Sequence, residues 1–307
     1  MCYWTTQPYL VFGDIHFNKT FQKGIIHSDK PFSILRNQYI IKYLIFNLKK
    51  FSNIKHIVFL GDVFDTGIDD FNYYKFFKQM IQQFPDRNFH VVWGNHDRKY
   101  MIKYITECTY YLQPNLCYKD NILTLFLPHV GNNVLTIKNT IANLVHKAKQ
   151  FQSNIQSVII LSHNYIYLVS SYANQPTVVY NDIVSYIKRE LHAENVIVLN
   201  GHIHRYSIEG GFVQLGSACP MTHRTSYTTS VNMAYFDPST CTYRVYRNNF
   251  LHYLSLDNEI YKEKCLNYVK SCQAKQQAVF LKIPQSMIDF GKSLMSRYKC
   301  VIGIKVY

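Results

Sequence analysis

Five short apolar runs, each followed by side chains that can bind a metal, constrain this chain more than any other feature. The runs are YLVFGD (9–14), HIVFLGD (56–62), FHVVWGN (89–95), SVIILSHN (157–164) and VIVLNGH (196–202). Runs of this length that are rich in β-branched and aromatic residues indicate buried strands. Between them lie segments with apolar residues at helical spacing, such as SILRNQYIIKYLIFNLKKF. This alternation predicts an α/β fold with crossover helices around a buried sheet.

The pattern changes after residue 205. The segments GGFVQLGSA, SVNMAYFD and TYRVYRNN are predicted to be further strands, with DPST as a turn between the last two. Antiparallel strands added at this point would convert the single α/β layer into a core of two sheets. From about residue 250 the order helix, strand, helix, strand predicts a small α/β unit.

The ligand-type side chains follow directly on the five predicted strands. They are Asp14 and His16; Asp62 and Asp65; Asn95, His96 and Asp97; His163; and His202 and His204. Each cluster alone has an ordinary explanation as a turn, a helix cap or a loop histidine. Open α/β sheets, however, place their functional sites at the carboxyl ends of strands, so we expect all five clusters to converge on one edge. Five clusters in register favour a metal site.

The donor chemistry narrows the choice of metal. Carboxylate, imidazole and amide oxygen without thiolate suit Mn²⁺, Fe or Zn better than a soft metal. Seven of these ten side chains as metal ligands are too many for one ion and suit two ions that share a carboxylate. Two divalent ions about 3.5–4 Å apart can activate a water and stabilise the charge of an in-line displacement at phosphorus. The clusters therefore predict hydrolysis of a phosphate ester.

The ordered set D-x-H, G-D-x-x-D, G-N-H-D, H and G-H-x-H resembles that of the calcineurin-like metallophosphoesterases. The resemblance implies an α/β (α+β) fold in four layers, a two-sheet β-sandwich flanked by helices. It also implies two divalent ions, with Mn²⁺ preferred and Mg²⁺, Fe or Zn as alternatives.

The resemblance further implies a role for each motif residue. One metal would be held by Asp14, His16, Asp62 and His204, and the other by Asp62, Asn95, His163 and His202. His96 matches the histidine that protonates the leaving oxygen, and Asp65 matches the acid paired with that histidine. Asp97 is assigned a structural role.

Within this family, the H-x-H ending, the compact core and the VQLGSACP strand resemble the SbcD-type DNA-repair nucleases, and phage recombination-endonuclease subunits most of all. The resemblance implies a catalytic domain over residues 1–249 and a small α/β capping domain over 250–307. It implies a manganese-dependent nuclease with exonuclease and endonuclease activity in DNA repair or recombination. The implied partners are DNA, an SMC-like coiled-coil ATPase and a second copy of the chain as a homodimer.

Two other functions are compatible with the motifs. The same metal core would serve a phosphatase or phosphodiesterase that acts on nucleotides or phosphoproteins. A binding module that has lost catalysis is disfavoured, because every ligand position is filled.

The charge balance favours a polyanionic partner. The 307 residues include 33 Lys and Arg against 19 Asp and Glu, a formal net charge of +14. Such an excess attracts nucleic acid, although it is spread along the chain without a basic tract. Candidate DNA contacts beside the motifs are Lys19, Arg36, Arg98, Arg205 and Arg224. For each of these residues, an ordinary solvated surface charge is as good an explanation as a DNA contact.

Cysteine usage and hydropathy bear on the compartment. The eight cysteines are scattered without a C-x-x-C pair, which favours free thiols in a reducing compartment. The N-terminal MCYWTTQPYLVF lacks the basic region of a secretory leader, and no apolar run reaches the roughly 18–20 residues that span a bilayer. We therefore expect a soluble intracellular protein without membrane contact, cytoplasmic or nucleoid-associated if the source is a phage or a bacterium.

Overall fold

The computed structural model describes residues 4–17, 25–27, 32–65, 71–168, 177–216, 232–247, 251–256 and 258–306. The strands in chain order are β1 (Tyr9–Phe12), β2 (Ile25–His27), β3 (His56–Phe59), β4 (Asn88–Val92), β5 (Cys108–Tyr111), β6 (Asn115–Lys119), β7 (Ile122–Leu127), β8 (Ser157–Ser162), β9 (Ile166–Tyr167), β10 (Val178–Val179), β11 (Asn195–Asn200), β12 (Ser207–Glu209), β13 (Phe212–Gln214), β14 (Asn232–Asp237), β15 (Thr242–Arg247), β16 (Leu251–Ser255), β17 (Ala278–Ile283) and β18 (Val301–Val306). The helices are α1 (Phe32–Lys50), α2 (Phe71–Gln82), α3 (Lys99–Tyr104), α4 (Val134–Ala148), α5 (Tyr180–Leu191), α6 (Lys262–Ala274) and α7 (Ile288–Arg297). Short 3₁₀ helices cover Lys149–Asn154, Glu259–Tyr261 and Gln285–Met287.

Two six-stranded sheets form the centre of the molecule. The first has the order β15-β14-β1-β3-β4-β5, in which β1, β3, β4 and β5 run parallel and β14 and β15 add antiparallel strands at one side. The second has the order β12-β13-β11-β8-β7-β6, with parallel strands flanked by antiparallel β12 and β6. The five predicted strands are thus divided between the sheets, with β1, β3 and β4 in one and β8 and β11 in the other.

This division corrects the expectation that strands after residue 205 would create the second sheet. The centre of the second sheet is built earlier, from β7, β8 and β11. The later strands only extend existing sheets, since β13 pairs with β11 and β14 pairs with β1.

The alternation of side chains along each strand creates the layers. In β1, Tyr9 and Val11 pack between the two sheets, whereas Leu10 and Phe12 pack against the helices outside the first sheet. The outer helices bury residues three or four positions apart, as in an amphipathic helix: Ile183 and Ile187 of α5 are buried against the second sheet. The layer order is helix, sheet, sheet, helix, and the predicted fold class is confirmed.

The C-terminal part forms a third sheet of order β16-β17-β18-β2. Its first three strands are parallel and are joined by α6 and α7. The order α6, β17, α7, β18 agrees with the sequence prediction, whereas β16 was not predicted. The fourth strand is β2, from the N-terminal part of the chain, and it pairs antiparallel with β18. Phe280 of β17 packs into the core that includes α1, while Val279 and Leu281 pack into the core that includes α6 and α7. The boundary at residue 249 remains a prediction, and residues 25–27 belong to the sheet on its far side.

Among the described residues, none of the helices has both the length and the apolar character needed to cross a bilayer.

Candidate metal centre

The carboxyl ends of five parallel strands deliver the ligand-type residues to one edge of the sandwich. The residues come from β1, β3 and β4 of the first sheet and from β8 and β11 of the second. Contacts across the two sheets show that they meet: the backbone N–H of His202 donates to both carboxylate oxygens of Asp14 at 2.9 and 3.1 Å, and His163 Nδ1 lies 3.5 Å from Asp14 Oδ1. The convergence expected from the sequence is confirmed.

One group of side chains matches the first implied ligand set. Asp14, His16, Asp62 and His204 each offer a ligand atom within 4.8 Å of all the others. His16 Nε2 lies 3.1 Å from His204 Nε2 and 3.5 Å from Asp62 Oδ2. Asp14, His16 and Asp62 are almost completely buried, so this group is fixed by the fold.

A second group shares Asp62 with the first. Asp62, His163 and His202 again have ligand atoms within 4.8 Å of one another. The amide oxygen of Asn95 completes the group, since Asn95 Oδ1 lies 2.9 Å from His202 Nδ1 and 3.2 Å from His163 Nε2. Asp62 is therefore the carboxylate that both groups have in common, as a pair of ions with one bridging ligand requires.

The donor set of the second group fits a cation. His163 Nδ1 faces the carbonyl oxygen of Leu60 at 2.5 Å and donates its hydrogen there, which leaves the Nε2 lone pair to face Asp62 Oδ2 at 3.3 Å and the Asn95 oxygen. Lone pairs that converge in this way need a proton or a metal between them. Burial acts in the opposite direction, but Asp62 and Asp14 raise the pKa of His163 to about 9. The convergence of these lone pairs suits a divalent ion, with which a proton competes for the same position.

The two carboxylates of the centre have opposite tendencies. Burial, opposed by His163 and assisted by the neighbouring charge of Asp62, raises the pKa of Asp14 to about 7. The pKa of Asp62 is held well below its ordinary value, because His163 and His16 outweigh the effect of burial. Asp62 therefore carries the negative charge at the centre of the cluster.

His96 and Asp65 lie together at the edge of the cluster. His96 Nδ1 is 3.1 Å from Asp65 Oδ1, and the same oxygen is 3.2 Å from His16 Nδ1. The His96 side chain is 28% exposed, so it faces the side from which a substrate would enter. The backbone N–H of His96 donates to Asp62 Oδ1 at 2.8 Å, which fixes the base of this residue to the shared carboxylate. The pairing of Asp65 with His96 agrees with the resemblance, and their catalytic roles remain predictions.

Asp97 organises the backbone rather than the metal ligands. Its buried carboxylate accepts N–H groups from four residues. They are Gly94 (2.9 Å), Asp62 (3.0 Å), Val63 (2.9 Å) and Phe64 (3.4 Å). These bonds tie the loop after β4 to the loop after β3, which is the structural role assigned to Asp97 from the sequence.

Three of the ligand-type residues have unusual backbone conformations. His16, Asp62 and His202 have φ of 48°, 47° and 71°, in the left-handed region that non-glycine residues seldom adopt. Such conformations cost free energy and are concentrated at functional sites. Gly94 allows the loops to approach, because a Cβ there would overlap the backbone nitrogen and a carboxylate oxygen of Asp62.

His129 lies beside the centre, although no functional role was predicted for it from the sequence. Its ring centroid lies 5.1 Å from that of His202 and 6.2 Å from that of His163. A usable signal was present, because His129 follows the apolar run ILTLFL (122–127) just as the other histidines follow their strands. Tyr165 also borders the centre, with its ring 4.0 Å from the His202 ring in an edge-on arrangement.

The candidate DNA contacts are only partly described. Arg98 and Arg205 are exposed and flank His96 and His204 in the sequence. Arg36 lies in α1, but its side chain is not among those that the structure describes, and Lys19 and Arg224 lie outside the described residues.

Comparison with known proteins defines the class. The family model of the calcineurin-like phosphoesterases matches residues 7–206, and the chain belongs to this family. Its members are hydrolases that bind two divalent metals, in agreement with the two ligand groups described above. No curated protein matches the chain significantly.

Solved structures that are similar to this chain include the following two. A dimetal phosphatase from Danio rerio is 12% identical, with a TM-score of 0.44 over 75% of this chain and 92% of that one. A protein of unknown function from Aquifex aeolicus is 17% identical, with a TM-score of 0.31 over 58% of this chain and 93% of that one.

Proposed function

We propose that this phosphoesterase is a nuclease that hydrolyses phosphodiester bonds in DNA. The observation that carries the proposal is the sharing of Asp62 by two ligand groups, with His96 at their open edge. When bound there, two divalent ions would supply an activated water and neutralise charge on the phosphate.

The protein's own residues would orient the substrate and move the proton. The Asp65 carboxylate accepts the Nδ1 hydrogen of His96. The imidazolium form of His96 would then donate its Nε2 proton to the departing sugar oxygen and become neutral. The contact between Asp65 and the ring of His16 holds both imidazoles in a fixed relation to each other.

The charge of the chain supports a polymeric substrate. The formal net charge is +14, and the exposed cations Arg98 and Lys99 directly follow the G-N-H-D motif that contains His96. A nucleic-acid backbone needs several such contacts, whereas a small phosphomonoester needs few. By resemblance, the proposal includes Mn²⁺ as the ion, a role in DNA repair or recombination, and assembly with an SMC-like ATPase and a second copy of the chain.

A panel of substrates tests this function. The protein is incubated with Mn²⁺ or Mg²⁺ and with labelled single-stranded, duplex or hairpin DNA, bis-p-nitrophenyl phosphate and p-nitrophenyl phosphate. We expect cleavage of DNA and of the diester, loss of both in His96→Ala, and wild-type activity in the control His146→Ala, which changes an exposed histidine on α4. Hydrolysis of the monoester alone would indicate a phosphatase instead. Turnover of none of these substrates with any divalent metal would refute hydrolysis.

A further inference from the structure

A short helix that is both basic and aromatic follows the G-N-H-D motif. Helix α3 has the sequence KYMIKY and is preceded by Arg98. Its two tyrosines, Tyr100 and Tyr104, are four positions apart, as are its two lysines, Lys99 and Lys103. Residues at this spacing share one face of a helix, so the aromatic and cationic side chains form two adjacent rows.

These aromatic side chains are turned outward by the fold. Tyr100 is 51% exposed and Tyr104 is 41% exposed, although both are large and largely apolar. On the opposite side of the helix, Met101 is completely buried in the core between the first sheet and its outer helices. Ile105, the residue directly after the helix, is buried in the same core. The ammonium of Lys103 lies 5.9 Å from the centre of the Tyr100 ring, which places a cation beside an exposed aromatic face.

The helix is held rigidly. The ring of Tyr104 stacks on that of Tyr74 in α2, with centroids 6.0 Å apart and planes at 18°. The ammonium of Lys78 donates to the carbonyl oxygen of Tyr104 at 3.0 Å, and the hydroxyl of Tyr110 donates to that of Ile105 at 2.8 Å. A rigid aromatic surface loses little conformational entropy when a ligand binds it.

Within the part of the chain that the structure describes, exposed cations surround α3. Neither α2 nor α3 contains an acidic residue, and Lys75, Arg98, Lys99 and Lys103 are all exposed. The nearby Glu107 is paired, since its carboxylate lies 3.4 Å from the ammonium of Lys78. This surface is therefore complementary to a polyanion.

We propose that Tyr100 and its neighbours on α3 form a stacking platform for an unpaired nucleic-acid strand entering the metal centre. The proposal rests on the proposed nuclease function and adds the substrate class. Aromatic side chains beside cations bind single strands by stacking on bases and pairing with phosphates. In a duplex the faces of the bases are covered by their neighbours, so an exposed tyrosine ring has a partner only where the strand is open. Lys99 is three positions after His96, which places the platform next to the predicted proton donor.

Binding of two oligonucleotides of equal length tests the stacking. One is oligothymidylate and the other has the same backbone with abasic sites, and fluorescence anisotropy is measured in EDTA to prevent cleavage. We expect Tyr100→Ala to weaken binding of oligothymidylate by about fivefold or more, since a stacked base contributes at least that much. Binding of the abasic strand and of duplex DNA should not change, and Tyr100→Phe, which keeps the ring, should bind oligothymidylate like the wild type.

A matched control is available in α6 and the turn before it. Tyr261 is 45% exposed, and the ammonium of Lys264 lies 5.7 Å from its ring, so it reproduces the pair of Tyr100 and Lys103 away from the motifs. Tyr261→Ala should leave both affinities unchanged. Equal losses with thymidylate, abasic and duplex DNA in Tyr100→Ala, or no loss with any, would overturn the platform.

The nuclease proposal is read separately, from hydrolysis of bis-p-nitrophenyl phosphate by the wild-type protein with Mn²⁺. Base-dependent binding without hydrolysis would refute the nuclease and retain the platform as a binding surface. Hydrolysis without base-dependent binding would refute the platform and leave the nuclease proposal in place.

Discussion

Asp97→Asn tests whether one buried carboxylate holds the two loops of the metal centre together. Each oxygen of Asp97 accepts two backbone N–H groups, one of them from Asp62. An amide keeps one oxygen but turns an NH₂ group toward two of these donors, so two hydrogen bonds are lost. Hydrogen bonds to a charged group contribute about 1.5–3 kcal/mol each. Burial and the charge of Asp62 raise the pKa of Asp97 to about 6. This shift means that the surroundings disfavour the charged carboxylate, which offsets part of the stabilisation from its hydrogen bonds. We therefore expect a loss of about 3 kcal/mol, at the low end of that range.

Urea unfolding measures this loss. With an m value of about 3 kcal/mol/M, the midpoint of Asp97→Asn should fall by about 1 M. The matched control is Asp120→Asn, because Asp120 is exposed and its carboxylate accepts one hydrogen bond from the described residues, from the Thr6 hydroxyl at 2.8 Å. Its φ of 51° is one that Asn tolerates, so the control should change stability by less than about 0.5 kcal/mol. Equal midpoints for the two variants would refute the role given to Asp97.

The remaining predictions concern the metal centre and His90, a buried histidine of β4. His96→Ala should lower the rate of phosphodiester cleavage by about 10²–10⁴-fold while the metal content stays at the wild-type value, as general acid catalysis predicts; a fully active variant would contradict this role. His204→Ala should reduce the metal content from two ions to one per chain by elemental analysis, and a count of two would contradict its assignment. Burial and the neighbouring His56 lower the pKa of His90 to about 3, so His90 contributes stability above its unfolded pKa of about 6.5 that is lost as the pH falls toward 3. Between pH 7.5 and pH 5 this loss is about 2 kcal/mol. Urea unfolding at the two pH values should therefore show that the free energy of unfolding of His90→Gln falls by about 2 kcal/mol less than that of the wild type. An identical pH dependence in both proteins would exclude His90 as the cause.

Much of the site could be predicted from the sequence, because the ligands follow strands that are recognisable from local composition. A buried strand such as SVIILS needs no long-range information to be identified, and His163 comes directly after it. The rule that parallel strands end at one edge then brings the clusters together without knowledge of the sheet order. The partition of the five strands between two sheets could not be read in this way, since it depends on which strands pair, and local composition does not specify pairing partners.

Other features were beyond sequence reasoning for a similar reason. The three residues of β2 carry too little pattern to predict that they extend the C-terminal sheet, and only their register against β18 reveals it. The left-handed conformations of His16 and Asp62 are imposed by the surrounding loops, because neither residue type favours such a backbone enough to predict it. His129 was missed although the strand before it has a recognisable apolar sequence, because His129 belongs to none of the recognised motifs.

The proposed function depends on Asp62 bridging two divalent ions. Crystals grown with Mn²⁺ and measured at a wavelength with strong manganese anomalous scattering test it directly. If Asp62 bridges the ions, the map will contain two anomalous peaks about 3.5–4 Å apart, both within coordination distance of the Asp62 carboxylate. A single peak, or two peaks of which only one contacts Asp62, would contradict it.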